Sequence, residues 1–286
     1  MLYLRLWDVQ VGNAAYIKTP NGKHIVQDLG TGAYETGLAA FSPLFFLKNR
    51  MNVNQLDEVI ITHPHGDHIR DIMNFDTLNP QILSRPKHLT QKEIHSGNRL
   101  EDRELVDKYI EISNRYNEDI SAHESPLHVQ NNGGAIIQVF MPTLSNNSNI
   151  NYHSSVTVIE YANSKVILPG DNDRESWQEL LGQKRFKETI EGTDVFMASH
   201  HGLEAGFCKE LFDVIHPKLV VISNGRFNDA SAQQRYSEVA SGWEVHKRYG
   251  GIVEKKCLST RNDGNIEIAL GWIVEGKKSY LSVTAD

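Results

Sequence analysis

Val59-Ile60-Ile61-Thr62-His63-Pro64-His65-Gly66-Asp67-His68 decides how this chain is read. The apolar run at its start has the length and β-branched character of a buried strand. Three histidines and an aspartate then crowd the turn that follows, and alternate side chains, His63 and His65, project toward the same side of it. Neutral imidazoles and carboxylates are the donors that zinc or a similar divalent ion takes at roughly 2 Å. Four of them within six residues are gathered by the local backbone alone. A polar turn with coincidental histidines is the competing account, but thirteen histidines in 286 residues do not readily cluster this way behind a strand.

The same device recurs downstream. Val166-Ile167-Leu168-Pro169-Gly170-Asp171 ends an apolar run on a Gly-Asp turn, which sets the Asp171 carboxylate at a strand tip where it could bridge two ions. Val195-Phe196-Met197-Ala198-Ser199-His200-His201-Gly202 ends another on two histidines and a glycine that permits a tight turn. At least one of that pair should face a metal. His153, just before a strand beginning near Ser155, is a further candidate ligand, and Asp28 closes Ile25-Val26-Gln27 in the same manner. Any one of these could merely cap a turn; their recurrence at successive strand ends argues for one site.

With 286 residues and 40% hydrophobic content the chain can bury a substantial core. No low-complexity linker divides it, so a single domain over residues 1–286 is expected. A formal charge of -7 gives no global attraction to nucleic acid; such a substrate would rely on a local basic patch or on the metals. Cys208 and Cys257 lack metal-site spacing and are expected to be reduced, buried thiols. Met1 to Tyr16 alternates like a strand and does not read as a signal peptide. Nor does any stretch reach the roughly 18 apolar residues of a membrane span, so a cytoplasmic location and no membrane association are the expectations.

Strands are expected over residues 2–6, 14–18, 24–28 and 58–62. A helical insertion follows at about 85–130, in which Leu105, Tyr109, Ile110 and Ile112 recur at near-helical spacing. Strand signals resume over 135–141, 155–161, 165–169, 194–198, 219–223, 254–258 and 265–268, with helices at 176–181 and 232–241. His88, His95, Arg99, Arg103, Lys108 and Arg115 lend the insertion positive character, and Tyr109 and Tyr116 are candidate platforms for a stacked base. The alternative is a solvated helix face with its tyrosines turned into the core.

On its His-x-His-x-Asp-His signature the chain resembles the metallo-β-lactamase fold superfamily, and it is similar in more detail to the metal-dependent hydrolase domain of the ComEC/Rec2 competence proteins. Leu6-Trp7-Asp8-Val9-Gln10-Val11-Gly12-Asn13-Ala14-Ala15 resembles their opening motif, and Thr19-Pro20-Asn21-Gly22-Lys23 followed by Asp28 matches the next hairpin. Ser154-Ser155-Val156, Leu168-Pro169-Gly170-Asp171, His200-His201-Gly202 and Thr260-Arg261-Asn262-Asp263-Gly264 then follow in the family's order. The resemblance implies an αββα sandwich of two mixed sheets flanked by helices, with metals at one edge. It implies that His63 and His65, with His153, hold one ion, that Asp67 and His68 hold a second, and that Asp171 bridges them. One of His200 and His201 would complete the set, the sequence not choosing between them, and Asp28 would orient the motif by hydrogen bonds. Departures are visible. Ile69-Arg70-Asp71-Ile72 stands where relatives often have Gly-Gly-Leu, Leu203 where serine is frequent, and His153 where asparagine is common. Asn228-Asp229-Ala230-Ser231 replaces a segment whose histidine could act as general acid, leaving Asp229 or another residue to substitute.

Two divalent ions, zinc first and manganese second by donor chemistry, would supply a metal-bound hydroxide and polarise the substrate. Asp67 and Asp171 are the candidate catalytic carboxylates. The expectation is a phosphodiesterase or nuclease acting on nucleic acid or another phosphodiester, restrained by a regulatory protein partner, with Arg174, Asn228 and Asp229 as candidate substrate contacts. The alternatives are a hydrolase of small esters, lactones or thioesters, and a non-catalytic, metal-stabilised module for binding a partner.

Overall fold

Leu2-Tyr3-Leu4-Arg5-Leu6 alternates and forms strand β1 (Leu2–Leu6), its leucines buried and its intervening residues half-exposed. Arg5 lies directly across from Glu267 and binds it at 2.6 Å. The computed structural model describes residues 1–32, 41–118, 120, 121, 123–125, 128–143, 147–225, 230–274 and 276–286. After β1 come β2 (Ala15–Lys18), β3 (His24–Gln27), β4 (Glu58–Ile60) and β5 (Ile82–Ser84), with helices α1 (Pro43–Arg50), α2 (Gly66–Ile69), α3 (Gln91–Gly97) and α4 (Arg103–Arg115). The rest contributes β6 (Ile136–Phe140), β7 (Val156–Tyr161), β8 (Ser164–Leu168), β9 (Val195–Met197), β10 (Leu219–Ile222), β11 (Trp243–Lys247), β12 (Ile252–Lys255), β13 (Cys257–Ser259), β14 (Ile266–Val274) and β15 (Lys278–Ala285). Its helices are α5 (Arg174–Gly182), α6 (Lys184–Ile190), α7 (Lys209–Phe212), α8 (Gln233–Val239) and α9 (Thr260–Asp263).

These strands build two mixed sheets, ordered β12-β11-β15-β14-β1-β2-β3-β4-β5 and β13-β10-β9-β8-β7-β6. Leu2, Leu4, Leu6, Ile25 and Ile60 on the first sheet meet Ile159, Val166, Leu168, Met197 and Val221 on the second in a continuous apolar layer. Fully burying each such side chain is worth roughly 1.5–3 kcal/mol. The first sheet's outer face is covered by Leu44 and Leu47 of α1, Ile69 of α2 and Val106, Tyr109 and Ile112 of α4. Trp177 and Leu180 of α5, Phe186 of α6, Leu211 of α7 and Tyr236 of α8 cover the second. The expected αββα sandwich is therefore present.

Several details differ from the sequence reading. Residues 254–258 are not one strand. The chain leaves the first sheet after Lys255, and Cys257 already pairs with Val220 in the second. No glycine, proline or other turn residue separates Lys255 from Cys257, so the sequence carries no stop signal there. β5, β11 and β15 were not anticipated, nor was α1, although Ser42 caps it by accepting from the Phe45 amide and Pro43 opens it. Neither cysteine is bonded; Cys208 is buried, whereas Cys257 is half-exposed. Among the described residues no helix is long and apolar enough to cross a membrane.

The arrangement of strands creates a shared edge. β3 and β4 run parallel in one sheet, and β8, β9 and β10 run parallel in the other. Their carboxyl ends open onto the loops that carry Asp28, the 62–68 turn, Asp171, the 199–202 turn and Ser223. Loops at the carboxyl ends of parallel strands are where such sheets commonly place their chemistry.

Candidate metal centre

Asp28 organises the centre from behind. It takes a left-handed conformation at the end of β3 (φ 58°) and is fully buried. Its carboxylate accepts from the Thr62 amide at 2.8 Å, the Thr62 hydroxyl at 2.9 Å, Asn13 Nδ2 at 3.1 Å and His68 Nδ1 at 2.8 Å. His68 Nδ1 is thereby the donor, and in the neutral ring the Nε2 lone pair points away from Asp28. His201 is fixed in the same way by donating from Nδ1 to the Ser223 carbonyl at 3.1 Å. The two Nε2 atoms then face each other at 3.3 Å. Around them, Asp171 Oδ1 lies 3.3 Å from His68 Nε2, Asp171 Oδ2 3.3 Å from His201 Nε2, and Asp67 Oδ2 3.2 Å from His201 Nε2. Bonds of about 2.0–2.1 Å to a tetrahedral ion put donor atoms roughly 3.3–3.4 Å apart. Asp67, His68, Asp171 and His201 therefore match one metal position, with all four ligand atoms within 4.8 Å of one another.

A second confrontation sits beside the first. The Thr62 hydroxyl is spent on Asp28, so at 3.2 Å it accepts from His63 Nδ1. His65 bonds the Gly97 backbone. His63 Nε2 and His65 Nδ1 are left facing at 3.1 Å, with Asp171 Oδ2 at 3.8 Å from the former. Burial holds both rings below the ordinary histidine value, well below it for His63, where neighbouring His68 adds to the effect. A proton is thus a poor remedy here. Burial also disfavours charge on His68 and His201, but the Asp171 carboxylate leads a group of carboxylates that outweighs it. His68 is raised well above its ordinary value and His201 is pushed up to about 10. Burial would raise Asp67 and Asp171 in turn, yet the imidazoles of His68 and His201 hold both below the usual carboxylate range. Asp67, His68, Asp171 and His201 fit one divalent cation, and His63, facing His65, approaches the same Asp171 carboxylate beside it.

Close backbone approaches lock this geometry. A Cβ on Gly12 would fall 2.2 Å from the Asp67 carbonyl oxygen, and one on Gly170 would fall 2.7 Å from the Thr62 side chain. Ser154 Oγ accepts from the Asp171 amide at 3.0 Å, and Ser223 Oγ donates to the Gly12 carbonyl at 2.8 Å. Asn98, beyond α3, clamps the motif turn by donating to the Pro64 carbonyl at 2.8 Å and accepting from the Gly66 amide at 3.1 Å. Thr62, Asn13 and Ser154 lie in stretches the sequence singled out, but their supporting roles, like those of Asn98 and Ser223, follow no recognisable spacing.

Other expected site residues fall elsewhere. His153 is buried with both ring nitrogens engaged, Nε2 with the Asn147 carbonyl at 2.7 Å and Nδ1 with His88 Nε2 at 2.9 Å; it is not among the gathered donors. Arg174 bonds Glu210 at 2.8 Å on the surface, so the ring of charge around Asp171 does not draw it in. Asn228 and Asp229 lie outside the described residues. Tyr109 lies on the buried face of α4 and cannot stack a base, while the Tyr116 hydroxyl donates to the Pro80 carbonyl at 2.6 Å. A cavity of about 1350 Å³ runs beside β5, touching His88, Tyr116, Val139, Met141 and Ser155, but no residue of the metal group lines it.

An αββα sandwich with histidine and aspartate donors converging at its strand ends is the scaffold of a metal-dependent hydrolase. The chain belongs to the metallo-β-lactamase superfamily, whose family model matches residues 7–200. It is 23% identical over 252 residues to Recombination protein 2 of Haemophilus influenzae, an alignment covering 88% of this chain and 27% of that protein. It thus spans about a quarter of the length of that relative. Among solved structures, it is similar to the diiron β-hydroxylase CmlA of Streptomyces venezuelae (14% identity, TM-score 0.44, 81% of this chain and 45% of that one). Zn2+-bound PqqB from Methylobacterium extorquens is another such structure (10% identity, TM-score 0.46, 93% and 99%).

Proposed function

We propose that this superfamily hydrolase is a dinuclear phosphodiesterase, with nucleic acid as the first substrate class to test. One observation supports the reading above others: two pairs of imidazole lone pairs face each other at 3.1 and 3.3 Å beside a single shared carboxylate, Asp171. His63, His65 and Asp171 would hold one ion, and Asp67, His68, His201 and Asp171 the other. Such a pair of ions acidifies water and neutralises charge developing on attacking and leaving oxygens, which suits a phosphodiester. The protein's own part is orientation and proton handling. Asp28 and Ser223 fix the tautomers of His68 and His201, so the donors need no reorganisation during the reaction. Asp67, the more exposed of the two carboxylates, can accept a hydrogen bond from the attacking water and orient it.

A second reading has its own support. Arg99, Arg103, Lys108 and Arg115 of the 85–130 segment are paired with Glu101, Asp107, Glu111 and Asp76, which favours a short phosphodiester or a small ester over a long polyanion. The test incubates the protein, loaded with zinc or manganese, with labelled single-stranded DNA, duplex DNA, RNA, a chromogenic phosphodiester and a lactone, alongside His65→Ala. Cleavage of a phosphodiester that His65→Ala abolishes supports the proposal. Opening of the lactone while every phosphodiester survives, with metal content intact, would overturn it in favour of the small-ester reading.

A further inference from the structure

His200 and His201 both take left-handed backbone conformations, φ 52° and 54°, and Gly202 continues the turn at φ 80°. For residues with a side chain that conformation costs about 1–2 kcal/mol each, and two in succession ask for a compensating gain. In an extended chain, neighbouring side chains point to opposite faces. This turn instead sends both imidazoles to one carboxylate. Asp171 Oδ2 lies 3.3 Å from His201 Nε2 and 3.9 Å from His200 Nε2. His63 Nε2 approaches the same oxygen at 3.8 Å. The following chain passes close by: a Cβ on Gly206 would sit 2.8 Å from His200 Cβ.

The metal position of His63, His65 and Asp171 has two imidazoles and lacks a third. His153 is poorly placed to supply it. Its Nε2 must donate to the Asn147 carbonyl, which leaves Nδ1 to accept from His88, so both nitrogens are spent. We propose that His200 is the third imidazole of that position, so that the His200-His201 pair serves both ions, one ring to each. The inference rests on the metal-centre reading. An N···O separation of 3.9 Å is wider than a tetrahedral edge, but at bonds of about 2.0–2.1 Å it corresponds to a donor angle of roughly 140°. A modest swing of the ring closes it, and among the described residues His200 Nδ1 has no hydrogen-bond partner to oppose the movement. The two positions then differ in character. Three imidazoles and a carboxylate select zinc, whereas two imidazoles and two carboxylates also admit manganese.

Cobalt(II) in place of the native ions reads this directly, because a cysteine thiolate that replaces a ligand imidazole gives a sulfur-to-cobalt charge-transfer band in the near ultraviolet. Wild-type protein, whose Cys208 and Cys257 lie outside the donor group, provides the blank. The band is expected in His200→Cys and absent from His153→Cys. In parallel, His200→Ala should bind one of two ions more weakly by at least the roughly 10- to 100-fold that loss of an outer-shell partner costs, while His153→Ala retains both. A band in His153→Cys overturns the assignment, as does full retention of both ions at wild-type affinity in His200→Ala. Failure of the wild-type protein to take up cobalt overturns the metal centre itself, and the assignment with it. Survival of nucleic acid in the cleavage assay touches neither readout.

Discussion

The metal centre and helix α4 are both dense in ionisable side chains, and they treat charge in opposite ways. Along α4 the groups are paired off locally: Arg103 with Asp107, Lys108 with Glu111, and Arg115 with Asp76 from the preceding 3-10 segment. These pairs are largely exposed, where an ion pair is worth about 0.2–1 kcal/mol. At the centre the outer nitrogens of His63, His65, His68 and His201 are tied to Thr62, Gly97, Asp28 and Ser223, and the inner lone pairs are left facing one another. Charge density alone therefore does not locate function. What marks the site is buried imidazoles and carboxylates from distant parts of the chain converging on one point.

The largest effect should come from the residue on which the imidazoles converge. Asp171→Ala is expected to lose both ions and reduce hydrolysis to background, measured by elemental analysis and turnover with the preferred substrate. Two retained ions in this variant would break the contrast with α4, since the centre would then hold metal without its shared carboxylate. Asp28→Asn is a step smaller. The asparagine would turn an amide N–H toward the Thr62 and His68 donors, so metal affinity should fall about 10- to 100-fold in a chelator competition, with the sandwich still folded.

Legibility in the sequence followed chain distance. Residues 62 to 68 are gathered by one turn, so their chemistry was readable at once, and Asp28, Asp171 and the His200-His201 pair were readable because each follows an apolar run, although the run does not choose between the two histidines. The supports were not. Ser223 reaches Gly12 across 211 residues, and Thr62 reaches Asp28 across 34; neither pairing leaves a periodic trace. His153 was readable as a donor, but its direction is set by His88 and Asn147, which only the fold brings near. The framework followed the same rule. Fully buried, mainly apolar strands such as β4, β9 and β10 announced themselves, whereas β11 and β12, half-exposed or exposed at most positions, and the switch at Lys256 did not.

Alkaline pH sharpens the comparison next. In metal-free protein His201 is raised from 6.5 to about 10, so its stabilising contribution is fully present below pH 6.5 and is lost as pH rises through about 10. Asp67 and Asp171 run the other way: their depressed values contribute stability above the ordinary carboxylate range, lost as pH falls. Thermal melts of metal-free protein should therefore decline from about pH 6.5 upward, and zinc loading, which replaces the proton, should flatten that decline. Glu58 adds a separable part. Burial pushes it from 4.5 to about 7, so between those values the unfolded chain releases a proton that the folded one keeps, and stability falls as pH rises. Glu58→Gln should remove that loss and stabilise the protein at about pH 8 by up to about 3 kcal/mol. An unchanged melt in the variant would mean that Glu58 ionises normally.

The smallest effect belongs to α4. Arg103→Ala removes a partner that is more than half exposed, 3.4 Å from an equally exposed Asp107. The helix keeps its buried face of Val106, Tyr109 and Ile112, and alanine is the better helix former. Stability should change by no more than about 0.5 kcal/mol, with metal content and turnover on a small phosphodiester unaltered. The informative case is a long nucleic acid. If Arg103→Ala weakens binding to a long strand while leaving the short substrate untouched, then the helix exchanges its internal partner for phosphate on binding, and the paired surface of α4 conceals a substrate contact. If both substrates behave as wild type, the pairing is only that of a solvated helix face, and the reading that favours a short substrate gains.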